Sequence, residues 1–449
     1  MQIICFEDQL ASHLFPITQS RPAYAVTCAS LRLVDRLKEL IRGPLAGSSL
    51  LGSVRSYLTE IQQLDFELSQ AATEIGDKWP TDDGGILLVN ARLVPRVALD
   101  AVLVKMAQED RSVSMVDEHD GSILIARLTA ADLAARRSEL SPPPDPVPEK
   151  SSRSRSKSVV APLLSLTDRL VQLADSLPRS PTTAAAFHWP HDIVSWHMNE
   201  MRESIEWRVA HGEYRQHADG VFVNEGVSLG EYLSINVENG PILLERNVKV
   251  GPFCYLEGPL HAGAGTRVIE HSALKDGVSL GHTVKIGGEV EASVIEPYTN
   301  KQHHGFLGHS YLGSWINLGA GTCNSDLKNT YGKINMEYDN TKIATGMQFL
   351  GCFIGDYSKS AINTSIFTGK VIGVCSMLYG FVTSNVPSFV NYARLFGQTA
   401  LLPADVMIST QAKMFARRKV QQRECDKQLI LDMYEQSATE REAAEHYML

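Results

Sequence analysis

Starting at Leu244, an aliphatic or small apolar residue recurs at every sixth position: Leu244, Val250, Leu256, Ala262, Val268, Leu274, Leu280, Ile286 and Ala292. The residues two places earlier are also mostly small or β-branched: Ile242, Val248, Cys254, Leu260, Thr266, Ser272, Val278, Val284 and Val290. Glycine often follows the six-spaced residue, as at Gly251, Gly263, Gly281 and Gly287. A period of six fits neither the 3.6 of a helix nor the 2 of a simple strand. It is the mark of hexapeptide repeats, which coil as a parallel β-helix. Short strands meet at corners, the sixth residue points inward, and small residues or glycine turn the corner. The period returns at Leu312-Gly313, Leu318-Gly319, Ile354-Gly355, Ile366 and Ile372-Gly373. The interruptions between these blocks are expected to be loops, where chemistry tends to sit.

A chain of 449 residues is too long for one ordinary core. Residues 1–140 alternate strand-like and helix-like segments and are expected to form a three-layer α/β domain. Ile3 to Phe6 and Ile86 to Asn90 read as strands, Leu31 to Ile41 as a helix, and Met115 to Leu128 as a hairpin turning at Asp120-Gly121. Residues 141–158 are rich in Pro, Ser and Arg and read as a linker. Residues 159–219 read as a helical connector, with helices at Leu163 to Leu177 and His191 to Val209. The coil is expected over 220–390, left-handed, followed by a helical tail at 391–449, in which Ala404 to His446 reads as one long helix placed to cap the open end.

Hydrophobic content of 44% with 21% charged residues describes a soluble globular chain. A net charge of −9 argues against a general nucleic-acid binder. No apolar run approaches the roughly 20 residues that cross a bilayer, and MQIICFEDQL lacks the basic start of a secretory leader. Seven cysteines without close spacing point to reduced thiols and a cytoplasmic location.

The segment His303 to Asp326, HHGFLGHSYLGSWINLGAGTCNSD, resembles the acetyltransferase half of the bifunctional glucosamine-1-phosphate acetyltransferase and N-acetylglucosamine-1-phosphate uridyltransferase family. In that family a His precedes an aromatic-Leu-Gly step, an Asn-aliphatic-Gly-Ala-Gly-Thr segment and a Cys-Asn pair. Here they are His303, Phe306-Leu307-Gly308, Asn317 to Thr322, and Cys323-Asn324. Near the N-terminus, Leu14 to Leu37 and Gly84 to Pro95 are similar to sugar nucleotidyltransferases fused to hexapeptide domains. The resemblance implies acetyl-CoA as donor, an amino sugar phosphate or nucleotide sugar as acceptor, and a homotrimer. It also offers Arg21, Pro22, Asn90 and Arg92 as nucleotide contacts, with Mg²⁺ only if nucleotidyl transfer is retained. Two departures stand out. Phe6 to His13 has no glycine where that family cradles phosphates on backbone N–H groups. Where the family sets a Lys on the sugar phosphate, this chain has Glu291.

Acyl transfer from a thioester to an amine needs a base, and a His titrating near neutrality suits that role. His303 is the candidate, with His304 one register step away. Asn324 is a candidate donor to the oxyanion or to coenzyme A. Asn317, Gly319, Ala320 and Gly321 offer a surface for the pantetheine arm, although Asn317 equally suits an inward Asn ladder. Lys328 and Lys333, or Arg417-Arg418-Lys419 from a neighbouring subunit, are candidates for its phosphates; a solvated setting is the simpler expectation for each. A competing reading is a zinc enzyme of the hexapeptide carbonic-anhydrase type. His304 and His309 have the ligand spacing, with His271 or His282 as third ligand. A third reading is a non-catalytic N-terminal domain that binds a sugar nucleotide and regulates the coil. His188, His191 and His197 are another candidate cluster, for which a structural role at a helix entry is the simpler expectation. No metal site is expected under the acyltransferase reading.

Overall fold

The computed structural model describes residues 1–71, 84–140, 165–393 and 398–445. The expected linker at 141–158 lies outside the described residues. The chain divides into two compact units: Met1–Asp8, Leu37–Leu93 and Leu99–Ala186 form the first, and Gln9–Arg36, Val94–Ala98 and Phe187–Leu449 the second. Neither follows the expected borders. Residues 9–36 group with the coil, and of the two helices expected in the connector, Leu166–Asp175 falls in the first unit and Pro190–His211 in the second.

The first unit is an α/β domain around a five-stranded sheet. Its strands are β1 (Gln2–Phe6), β2 (Ser49–Ser53), β3 (Ile86–Asn90), β4 (Val113–Val116) and β5 (Ile123–Leu128), in the order β2-β1-β3-β5-β4. β1 runs parallel to β2 and β3, while β5 is antiparallel to β3 and β4. Central strands of this kind are apolar on both faces, and every residue of β3 is buried. Ile4, Phe6, Ile86 and Leu88 pack with Leu170 and Leu173 of the helix Leu166–Asp175. Their alternating neighbours Ile3, Cys5, Leu87 and Val89 are equally buried on the other face. The β4–β5 hairpin turns with Gly121 in the left-handed region, at φ +74°.

The second unit is built on a parallel β-helix. Ile242 pairs with Leu260 and Leu260 with Val278, so a regular coil takes eighteen residues, three hexapeptides. Nine-stranded and ten-stranded sheets make two walls, and five- and three-stranded sheets make the third. All nine six-spaced residues are buried, and Val250, Leu256 and Ile286 stand in one continuous apolar core. Antiparallel strands close the stack: Arg215–Ala218 ends the nine-stranded sheet and Gln398–Leu401 ends the ten-stranded one. Each covers an edge that would otherwise offer unpaired backbone groups.

Three details of the repeat differ from expectation. Ala292 is buried but turns a corner at φ +49°, and Val290 takes the inward place opposite Leu274. The phase slips there because the corner at 287–288 is short. The corners are also not kept for small residues. Phe253, His271, Tyr298, His309 and Trp315 all sit in the left-handed region, and their side chains point out and stack. The glycines act instead through close approach: a Cβ on Gly263 would lie 2.6 Å from the backbone of Gly281 in the next coil. The tail, finally, forms three helices among the described residues rather than one: Ala404–Arg417, Glu424–Gln436 and Ala438–Glu445. The first break follows Lys419, at φ +57°. Among the described residues no helix is long and apolar enough to cross a membrane.

Candidate functional site

Parallel register gathers residues far apart in sequence into one column. On the ten-stranded wall, Lys285 pairs with Asn300, Asn300 with Asn317, and Asn317 with Lys359. Their register neighbours Ile286, Lys301, Leu318 and Ser360 are buried, so the column faces outward. Asn317 therefore does not join an inward ladder; its Oδ1 lies 3.5 Å from Asn300 Nδ2 on the outer surface.

The helix Ala404–Arg417 and Arg418 just beyond it roof this column, and Arg418 donates to Asn300 Oδ1. Tyr298 and Trp315, both at corners, stack at 4.1 Å, and Trp315 meets Phe415 of the helix at 4.4 Å. These contacts enclose a cavity of about 560 Å³. His303, Asn317, Gly319 and Ala320 line it together with Lys285, Lys359, Arg417 and Arg418, and no carboxylate does. Burial lowers the Lys359 ammonium to about 8. Burial and then the charges of Arg418, Arg267 and Arg417 lower Lys285. Burial and then Arg417 lower Arg418 as well. The cavity is thus rich in cations that repel one another, the setting an anion relieves.

His303 is exposed on the rim, in the corner 302–305 between the strands Asn300–Lys301 and Phe306–Gly308. The preceding coil turns the same corner with 287–288 alone. The corner 302–305 has the same four residues as 251–254 and 269–272, so His303 stands on a regular corner of the coil rather than in a loop between repeat blocks. The long insertion comes later, where Leu312 pairs with Ile354, and it carries the hairpin Asn335–Tyr338 and Thr341–Ala344. His304 is exposed and does not line the cavity; its carbonyl accepts from Gly321 N–H at 3.0 Å. Gly321 turns at φ +75°, and a Cβ there would meet Asn363 at 2.2 Å. Asn324 is buried. Its Oδ1 accepts from Gly308 N–H at 2.9 Å and its Nδ2 donates to Gly308 O at 3.0 Å. Lys328 donates to Lys333 O at 2.8 Å and stands outside the cavity lining.

The four proposed nucleotide contacts are divided between the units. In the second, Arg21 is buried and donates to Asp356 Oδ1 at 2.7 Å and to Ser314, with Glu296 3.3 Å away. In the first, Arg92 is fully buried on Asp8, with Nη2 to Oδ2 at 2.8 Å, and Asn90 donates to the same oxygen at 2.8 Å. Glu7 pairs with Arg55 at 2.9 Å. β1 lies between two parallel neighbours, so the crevice beyond its carboxyl end is where such sheets take ligands. This chain puts Glu7 and Asp8 there, both matched by its own arginines.

The sequence names His309 and Glu291 separately, but only the fold brings them together with Asp326. At the far end of the strand Phe306–Gly308, His309 Nδ1 meets Asp326 Oδ2 at 2.8 Å. Glu291, beside them, is paired with Lys275 at 3.3 Å. Lys275 stands opposite Glu291 in register, so a lysine reaches that position from the adjacent coil. The histidines of the zinc reading are not gathered: His271 stacks on Phe253 and His282 packs on Tyr298. His197 is held between Ala29 N–H at 3.1 Å and Gly277 O at 3.0 Å, and burial lowers it to about 4.

A β-helix with a cationic, aromatic-walled cavity, joined to an α/β sheet domain, sets the class of molecule. Residues 3–211 match the family of sugar nucleotidyl transferases. The chain is similar to the bifunctional sugar-1-phosphate nucleotidylyltransferase/acetyltransferase of Sulfurisphaera tokodaii, 30% identical over 142 residues, covering 31% of this chain and 35% of the relative. It is similar to the bifunctional protein GlmU of Paracoccus denitrificans, 38% identical over 89 residues, covering 19% and 20%. GlmU of Xylella fastidiosa is 29% identical over 174 residues, covering 36% and 34%. The chain thus spans about a third or less of the length of these relatives. Among solved structures, the Francisella novicida UDP-N-acetylglucosamine acyltransferase aligns with 14% identity and a TM-score of 0.22, covering 44% of this chain and 66% of that one. The polySia-specific acetyltransferase NeuO aligns with 14% identity and a TM-score of 0.19, covering 45% and 99%.

Proposed function

We propose that the coil transfers an acyl group from coenzyme A to the amine of an amino sugar phosphate or nucleotide sugar, with His303 as general base. The observation that carries this reading is the cavity: four cations, no carboxylate, and His303 on its rim. Such a lining fits the phosphates of coenzyme A, and acetyl-CoA supplies an activated thioester. Lys285, Lys359, Arg417 and Arg418 hold those phosphates, and the flat Gly319–Ala320 surface lies along the pantetheine. His303 takes the proton from the acceptor amine as the amine attacks the thioester carbonyl. It then returns that proton to the departing thiolate. Asn324 acts through Gly308, fixing the strand that follows the base. A thiol-release assay with acetyl-CoA against amino-sugar phosphates and nucleotide sugars tests this reading; no release with any acceptor sinks it.

The reading extends to the first unit, which keeps the fold and loses the uridylyl transfer. The support is Glu7 and Asp8 at the phosphate position, engaged by Arg55 and Arg92. With UTP, Mg²⁺ and a sugar phosphate, no pyrophosphate above background is expected; robust release overturns this. The reading also places the protein in the cytoplasm as a homotrimer. The support for assembly is the exposed stack of Tyr232 on Phe253 and Phe253 on His271, at 4.9 and 5.2 Å, an apolar surface that a second copy would cover; the support for the compartment is that all seven cysteines are free thiols. Light scattering is expected to give three chains per particle, and a stable monomer at micromolar concentration counts against it.

A further inference from the structure

Lys301 occupies an inward position of the coil, opposite Ile286 in register, and is 2% exposed. A lysine in an apolar core is costly unless its ammonium is fully bonded. Here Nζ donates to three carbonyls: Gly287 O at 2.7 Å, Gly305 O at 2.6 Å and His303 O at 3.2 Å. Two of these acceptors belong to the corner 302–305 and the third to the coil beneath it. The three donors of the ammonium are all used, so one buried cation ties the corner's backbone to the coil wall. Charge-assisted bonds of this kind are shorter and stronger than neutral ones.

We propose that Lys301 is a positioning residue: it fixes the 302–305 corner from inside the coil and thereby sets where the His303 imidazole stands at the cavity rim. This rests on the acyl-transfer reading for its consequence in rate, but not for its consequence in structure. Without the clamp, the carbonyls of His303 and Gly305 lose their anchor inside the coil. Burial brings the Lys301 ammonium down to about 8, so the protonated form is held by its three acceptors against a desolvation cost.

The test is Lys301→Met, an apolar side chain of similar length that the core accepts. Two readouts are taken. In thiol release, kcat is expected to fall roughly 10–100-fold with the KM for acetyl-CoA unchanged, the scale of a base misplaced by about 1 Å. In hydrogen exchange, the amides of Glu289 and Gly321, which donate to Gly305 O and His304 O, are expected to lose protection while the rest of the coil keeps its own. Lys301→Gln, with two donors, is expected to fall between the wild type and Met, and it replaces Met if that variant does not fold. A folded variant with unchanged kcat in an active enzyme, or with unchanged exchange at Glu289 and Gly321, overturns the proposal. If the wild type releases no thiol with any acceptor, the acyl-transfer reading falls by itself, and the exchange result alone decides on Lys301.

Discussion

Replacing Arg21 by alanine is expected to destabilise the coil-bearing unit by roughly 3–5 kcal/mol, the cost of removing one partner from a buried ion pair. Asp356 and Glu296 are 4% and 3% exposed. Burial alone would drive the Arg21 guanidinium down; the charges of Asp356 and Glu296 outweigh it and hold it above its ordinary value. Ser20 Oγ donates to Asp356 at 2.6 Å and Tyr311 Oη donates to Glu296, so neutral donors soften the loss without replacing the cation. The uncompensated carboxylates would then have to take up protons to remain buried, so the defect should shrink as pH falls into the carboxylate range. Urea denaturation of Arg21→Ala beside the wild type measures the loss. Arg21→Lys keeps the charge and should recover part of it, though not the fork that sets Nη1 on Glu296 and Nη2 on Asp356 together. If Arg21 is instead a nucleotide contact, its removal leaves the urea midpoint in place, and this account of the residue fails.

That residue also shows where the sequence stops being readable. The Gln-Ser-Arg-Pro stretch around Arg21 carries the resemblance to nucleotidyltransferases, yet its neighbours in space are decided by carboxylates 275 and 335 positions further on. The coil itself was plain, because every hexapeptide repeats the same physical demand for a buried side chain at the same place. Strand Ile86–Asn90 and the Asp120-Gly121 hairpin were plain for a similar reason: the apolar run and the turn chemistry are local. The cation column was not. Lys285, Asn300, Asn317 and Lys359 align only once the offsets between coils are known, and those offsets vary from Lys285 to Asn300 to Asn317 to Lys359. The same irregularity put Ala292 out of phase and hid Lys301, which reads as a surface lysine until the short corner before it is seen. Arg417 and Arg418 looked like part of a solvated helix face because nothing in their own neighbourhood says that Phe415 stacks on Trp315.

The largest expected effect on activity belongs to His303. A positioned general base contributes on the order of 10²–10⁴-fold in rate. His303→Ala is therefore expected to lower kcat for thiol release by about that factor, while binding of coenzyme A persists. The separation follows from the geometry: the cations that would hold the phosphates stand on the outer column and the roofing helix, and none is bonded to the histidine. His304→Ala should cost much less, because only its carbonyl is engaged, by Gly321 N–H, and its side chain does not line the cavity. Asn324→Ala should act differently from both. It removes the bonds to Gly308 N–H and Gly308 O, so stability as well as rate should fall. The measurement is steady-state kinetics on the three variants together with calorimetric binding of coenzyme A. If His304→Ala and His303→Ala exchange effects, His304 is the base. If neither changes the rate while His309→Ala abolishes it, the chemistry belongs to the His309–Asp326 pair at the other end of the strand, and the cavity serves binding alone.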